Sequence, residues 1–143
     1  MIFLKALLPG FLWLMAGLQP VVYSDVVEDT AAGYDAVTGR YTIPASGLYQ
    51  VHAVLYPETA DHYPTFASLQ VYRQGQASAV FARPALLHQE WGGSFAGQAV
   101  EVLVTERFEA GQVVYPMLFL HGGRVQFAGP QYESRLTIIR LGE

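Results

Sequence analysis

Short apolar or alternating runs recur along this chain, and each is closed by turn residues. Residues 48–56 carry a clear period of two, with Leu48, Val51, Ala53, Val54 and Leu55 set around Tyr49 and His52. Residues 99–108 repeat it, Val100, Val102 and Val104 alternating with Glu101 and Leu103. That period puts successive side chains on opposite faces of a pleated strand. Residues 21–27, 40–43, 66–73, 77–81, 113–120, 125–127 and 134–141 are further predicted strands. Pro44 closes one of them, and Gln74-Gly75-Gln76 predicts a hairpin turn because glycine takes positive φ cheaply. Residues 109–112 and His121-Gly122-Gly123 read as turns, and residues 57–64 as a polar loop with Glu58, Asp61 and His62. Residues 86–97, with Gly92-Gly93 at their middle, have no clear assignment. No stretch carries a long helical period, and no repeat or linker divides the chain. The pattern predicts an all-β jelly-roll β-sandwich of about ten antiparallel strands.

The first twenty residues allow three readings. Lys5 followed by an apolar run resembles a secretory signal. A membrane anchor needs about 18 uninterrupted apolar residues, and Pro9-Gly10 splits the run. The third reading makes residues 11–18, Phe-Leu-Trp-Leu-Met-Ala-Gly-Leu, a buried first strand of the fold. The broken apolar region and the lack of a small-x-small cleavage site before Gln19-Pro20 favour this one. Residues 1–10 are then an apolar N-terminal arm, with Ile2, Phe3, Leu4, Leu7 and Leu8 as its attachment side chains, and residues 11–143 are the head.

Composition narrows the function. Charged residues make up 14% of the 143 and apolar residues 52%, against about 25% charged in an ordinary soluble domain. So sparse a charged surface predicts that part of it is covered by copies of the chain or by a partner. The net charge of −4 and the absence of any basic run exclude nucleic-acid binding by counterion release. There is no cysteine, which excludes disulfides and thiolate metal sites.

Residues 34–49 carry Tyr34, Asp35, Thr38, Gly39, Tyr41, Thr42, Pro44, Gly47 and Tyr49 at fixed spacing. The stretch resembles the Tyr-Asp-x-x-Thr-Gly-x-Phe/Tyr-Thr-x-Pro-x-x-Gly-x-Tyr signature of the globular head of complement component 1q. That family shares its jelly roll with the tumour necrosis factors. Residues 68–75, 102–113 and 134–139 are similar to later family strands, although Gln112 replaces an Asp and the closing Phe and Gly are missing. On this likeness Gln19-Pro20-Val21-Val22-Tyr23 matches the second strand and residues 11–18 the first. The resemblance implies a tight homotrimer that serves as a recognition or adhesion head. On the residues themselves, Asp35 and Thr38 satisfy turn amides, Gly39 permits a bend, and the tyrosines turn large apolar faces to the core. These positions therefore read as fold residues and not as ligand contacts.

Catalytic chemistry finds little support. His52, His62, His88 and His121 are scattered, Ser94 and Ser134 lack a nucleophile elbow, and no phosphate loop occurs. Glu58, Asp61 and His62 share a loop, but calcium wants six to eight oxygen ligands, so they read as solvated. Trp91 between Glu90 and Gly92-Gly93 is a candidate platform for a sugar ring or receptor, against the plainer reading of a Trp packed on its own sheet. The expectation is a non-enzymatic homotrimeric structural or recognition module without cofactor or metal, on a virion or in the extracellular space. It would be a virion decoration or fibre-tip protein, or another exterior attachment head docked to a capsid or fibre protein. The alternative is a free secreted lectin-like module that binds carbohydrate or a receptor.

Overall fold

A computed structural model describes residues 1–61, 65–75, 80–88, 95, 98–129 and 132–143. Eleven strands lie among the described residues: β1 Phe3–Leu7, β2 Leu12–Pro20, β3 Asp25–Asp29, β4 Tyr34–Asp35, β5 Arg40–Thr42, β6 Gly47–Ala60, β7 Thr65–Arg73, β8 Phe81–Leu87, β9 Val100–Phe108, β10 Val113–Ala128 and β11 Arg135–Gly142. Every ladder is antiparallel. One sheet runs β3-β1-β11-β6-β9 and places the first and last long strands side by side. The other runs β4-β5-β10-β7-β8, with β2 also paired to β10. The far end of β6 crosses to pair with the far end of β10, joining the sheets at one corner. This is the jelly-roll sandwich the pattern predicts.

The core follows from the period-two alternation. Val51, Ala53 and Leu55 of β6, Val100, Val102 and Val104 of β9, and Leu136 and Ile138 of β11 face Leu69 and Val71 of β7 and Val114, Leu118 and Leu120 of β10. Tyr23, Tyr41, Tyr49, Phe95, Phe108 and Phe127 are the largest side chains in this interior.

Several expectations need correction. Residues 1–10 are not an arm apart from the head. Phe3–Leu7 is a strand hydrogen-bonded between β11 and β3, and Leu4, Ala6 and Leu8 are fully buried. The physical reason is alternation: Leu4, Ala6 and Leu8 point inward, while Phe3, Lys5 and Leu7 stay part-exposed on the other face. The strand expected at residues 11–18 is Leu12–Pro20, and it is the second strand and mostly exposed, with Leu14 alone buried in the core. Phe11, Met15 and Leu18 are 57%, 56% and 49% exposed. Residues 21–24 are irregular, although Val21 and Tyr23 are buried. The expected loop at 57–64 begins as strand, because β6 continues to Ala60. His121-Gly122-Gly123 is no turn: β10 runs through it as a bulge opposite β2, with Gly122 and Gly123 at φ 74° and 59°.

Candidate recognition surfaces

Hydrogen bonds and close packing hold several positions of the signature stretch. The Asp35 carboxylate accepts from the Val37 and Thr38 amides at 2.9 and 3.3 Å, closing the turn before β5. Those donors, the Val37 N–H above all, hold the carboxyl below its ordinary value. Gly39 sits at φ 76°, and a Cβ there would lie 3.1 Å from the Val21 carbonyl oxygen. A Cβ on Gly47 would lie 2.4 Å from the Gly142 carbonyl oxygen and 2.6 Å from Arg140 Nε. The Tyr49 ring meets Phe108 edge-on at 6.3 Å while its hydroxyl donates to the Ala45 carbonyl at 2.6 Å. Tyr34 donates to Tyr23 O at 2.8 Å, and Tyr23 donates in turn to Val54 O at 3.0 Å. Burial raises the hydroxyl pKa of Tyr23, Tyr34, Tyr41 and Tyr49. Pro44 is exposed just beyond the end of β5.

Two outer faces remain for partners. On the β1-β11-β6-β9 sheet the cross-strand rows are Lys5-Thr137-His52-Leu103 and Phe3-Ile139-Gln50-Thr105. They mix apolar and polar groups, and His52 Nε2 lies 2.9 Å from Glu101 Oε2. Phe3 and Leu7 belong to this face, while Leu4 and Leu8 are core residues and cannot dock a partner.

The outer face of the second sheet is more apolar. Leu18, Phe119, Ser68 and Pro84 form one row, and Pro20, Met117, Gln70 and Ala82 the next. Phe66 and Phe119 meet edge-on at 6.5 Å. At one end Tyr72 and Tyr115 are near-parallel at 5.9 Å, with the Arg40 guanidinium 4.3 Å over the Tyr115 ring. Arg40 also donates to the Gln74 side-chain oxygen at 3.0 Å. At the other end Arg124 lies 4.5 Å over Trp13 and pairs with Asp61 at 2.5 Å. Phe11, Trp13, Met15 and Leu18 were read from sequence as buried because the run is almost wholly apolar. Only the Gly17 and Gln19-Pro20 interruptions hinted at an edge strand.

Trp91, Glu90, His62 and Ser94 lie outside the described residues. Asp61, expected in a solvated loop, is tied to Arg124 instead. Among the described residues no three His, Cys, Asp or Glu side chains converge as metal ligands. His52, His88 and His121 stand on separate strands or their ends. An open groove of about 270 Å³ lies between β8 and β9, lined by Arg83, Pro84, Ala85, Ala99 and Glu101. Among the described residues its lining holds no nucleophile and base pair of the kind acyl or phosphoryl transfer requires. Among the described residues no helix is long and apolar enough to cross a membrane.

Neither a family model nor a curated protein matches the sequence. Solved structures do match the fold. The Eiger tumour necrosis factor of S. frugiperda superposes with a TM-score of 0.71 at 10% identity, covering 99% of this chain and 93% of that one. The globular domain of zebrafish complement 1qA gives 0.65 at 15% identity, covering 99% and 98%. Murine APRIL gives 0.65 at 11% identity, covering 97% and 98%. The chain therefore has the complement-1q and tumour-necrosis-factor jelly-roll fold, from end to end.

Proposed function

We propose that this chain is a non-enzymatic recognition head that works as a homotrimer outside the cell. The observation that carries the reading is a whole-chain likeness to tumour necrosis factor and complement 1q heads, joined to an outer face of the second sheet whose two middle rows carry no charge. The mechanism is shape. Self-association covers one face, and the surfaces left open meet a receptor or an exterior scaffold. A virion decoration or fibre-tip setting fits a head whose charged fraction is only 14%, since permanent assembly covers surface that a free protein must keep wet. Capture of a purified capsid or fibre protein by the intact chain supports that setting. A chain that stays wholly free when mixed with such proteins argues against it.

A second reading rests on Tyr72 and Tyr115. Near-parallel rings flanked by Gln70, Gln74 and Arg40 offer an aromatic bed with hydrogen-bonding groups, which suits a sugar ring in a secreted lectin-like module. Trp91 and Glu90 remain part of that proposal. A glycan array probed with wild type and Tyr115→Ala separates the two readings. Glycan signal lost in the variant favours the lectin, and an empty array favours the protein-docking head.

A further inference from the structure

Arg73 and Arg140 converge at the end of the sandwich where β6 begins and β7, β9 and β11 finish. Arg73 lies 4.9 Å over the Phe108 ring. Arg140 stands opposite Tyr49, and its side chain crosses the next strand directly above Gly47, with Nε 2.6 Å and Cζ 3.3 Å from where a Cβ would be. Gly47 and Phe108 are themselves cross-strand partners. The two guanidiniums thus rest on one adjacent residue pair.

Among the described residues neither cation has an ion-pair partner. The ion pairs among the described residues involve Lys5, His52, Arg124 and Arg135 only. Arg140 Nη2 donates to the Ser46 carbonyl at 2.7 Å, but the Nε atoms of both arginines are buried without a partner. Each such orphan donor has lost its water without gaining a partner, a net cost to the fold. Glu106 is the carboxylate nearest along β9, and one of its oxygens accepts from the Arg107 amide at 3.3 Å. Glu109 and Glu143 are exposed. Both arginines keep part of their surface in water, so the pair is reachable.

We propose that Arg73 and Arg140 form a binding site for a tetrahedral oxyanion, a sulfate or phosphate group. Two guanidinium forks supply paired N–H donors in the geometry such groups accept, and the Nη groups carry the contact. The anion supplies the charge that the fold leaves out. Gly47 acquires a second role, because any side chain there would displace Arg140 from the site.

The test is a titration of the full-length, isotope-labelled protein with low-millimolar sodium sulfate at constant ionic strength. It follows the guanidinium N–H resonances and the melting temperature, with chloride as reference. The expected result is a saturable shift at Arg73 and Arg140 and a rise of a few degrees in Tm. Arg140→Gln and Arg73→Gln should abolish the saturable response, and Arg83→Gln should keep it. Arg73 Nε has no partner among the described residues, so Arg73→Lys, which keeps the positive charge, tests the fork and should weaken binding by about tenfold. Glu106→Gln should tighten it. A sulfated disaccharide that binds more tightly than inorganic sulfate identifies the source as a glycan, and equal affinity identifies the free ion. The proposal is overturned by a response that never saturates, or by one that survives in both glutamine variants. It is equally overturned if Glu106→Gln destabilises the sulfate-free protein and leaves it blind to sulfate, which would make Glu106 the counter-ion.

Discussion

At Gly47 the backbone of β6 passes so close to Gly142 that one methyl group has nowhere to go. A Cβ at 2.4 Å from a carbonyl oxygen forces main chain, not a flexible side chain, to move. Gly47→Ala is therefore expected to cost about 2 kcal/mol or more, in the upper part of the overpacking range, measured by urea denaturation. The buried tyrosines set the alkaline limit. Their folded pKa values are raised, so the unfolded chain releases its phenolic protons first. Stability is complete below the unfolded value near 10 and falls as pH climbs past it. Denaturation midpoints should drop steeply from there, and less steeply in Tyr23→Phe. Asp35 has the opposite sign: its depressed value adds stability that is present above the unfolded value and is lost as pH falls through the folded one. Much of this scale was legible. The spacing of Tyr34, Asp35, Gly39, Gly47 and Tyr49 named turn and core residues, because local sterics and turn hydrogen bonds act within a few positions. The position of Arg140 over Gly47 was not legible, because 93 residues of chain separate the two and only the folded sheet brings them together.

The elements show where a local pattern misleads. In β1 the alternation of Leu4, Ala6 and Leu8 was present in the sequence but masked by Phe3 and Leu7, apolar residues on the opposite face. Removing residues 1–8 strips a central position from the first sheet and exposes the partner edges of β3 and β11. The truncated chain is expected to be insoluble or unfolded, as circular dichroism would show. Leu4→Ala alone should cost about 2–5 kcal/mol, the range for a truncated core leucine. In β2 the run of apolar residues suggested burial, yet a strand can be apolar because a partner will cover it. Leu18→Ser should change the stability of the isolated fold by no more than about 0.5 kcal/mol, as for other exposed positions. If it costs as much as Leu4→Ala, the strand is core after all. The β10 bulge hid behind His121-Gly122-Gly123, since glycines at positive φ serve a hairpin and a bulge equally well.

For the molecule as a whole, the likeness to Eiger, complement 1qA and APRIL fixes the architecture, and the sparse charge fixes the question. A monomer would leave Phe11, Met15, Leu18, Leu103 and Leu141 in water, each close to half exposed or more. Single exposed leucines are ordinary in soluble proteins, but an outer face with two adjacent uncharged rows calls for a second layer of burial. The proposed trimer would cover one such face without any new element. Light scattering behind size exclusion tests this directly, at low-micromolar protein and again after tenfold dilution. The account predicts a mass near three times 15.7 kDa at both concentrations. A stable species at 15.7 kDa would contradict it.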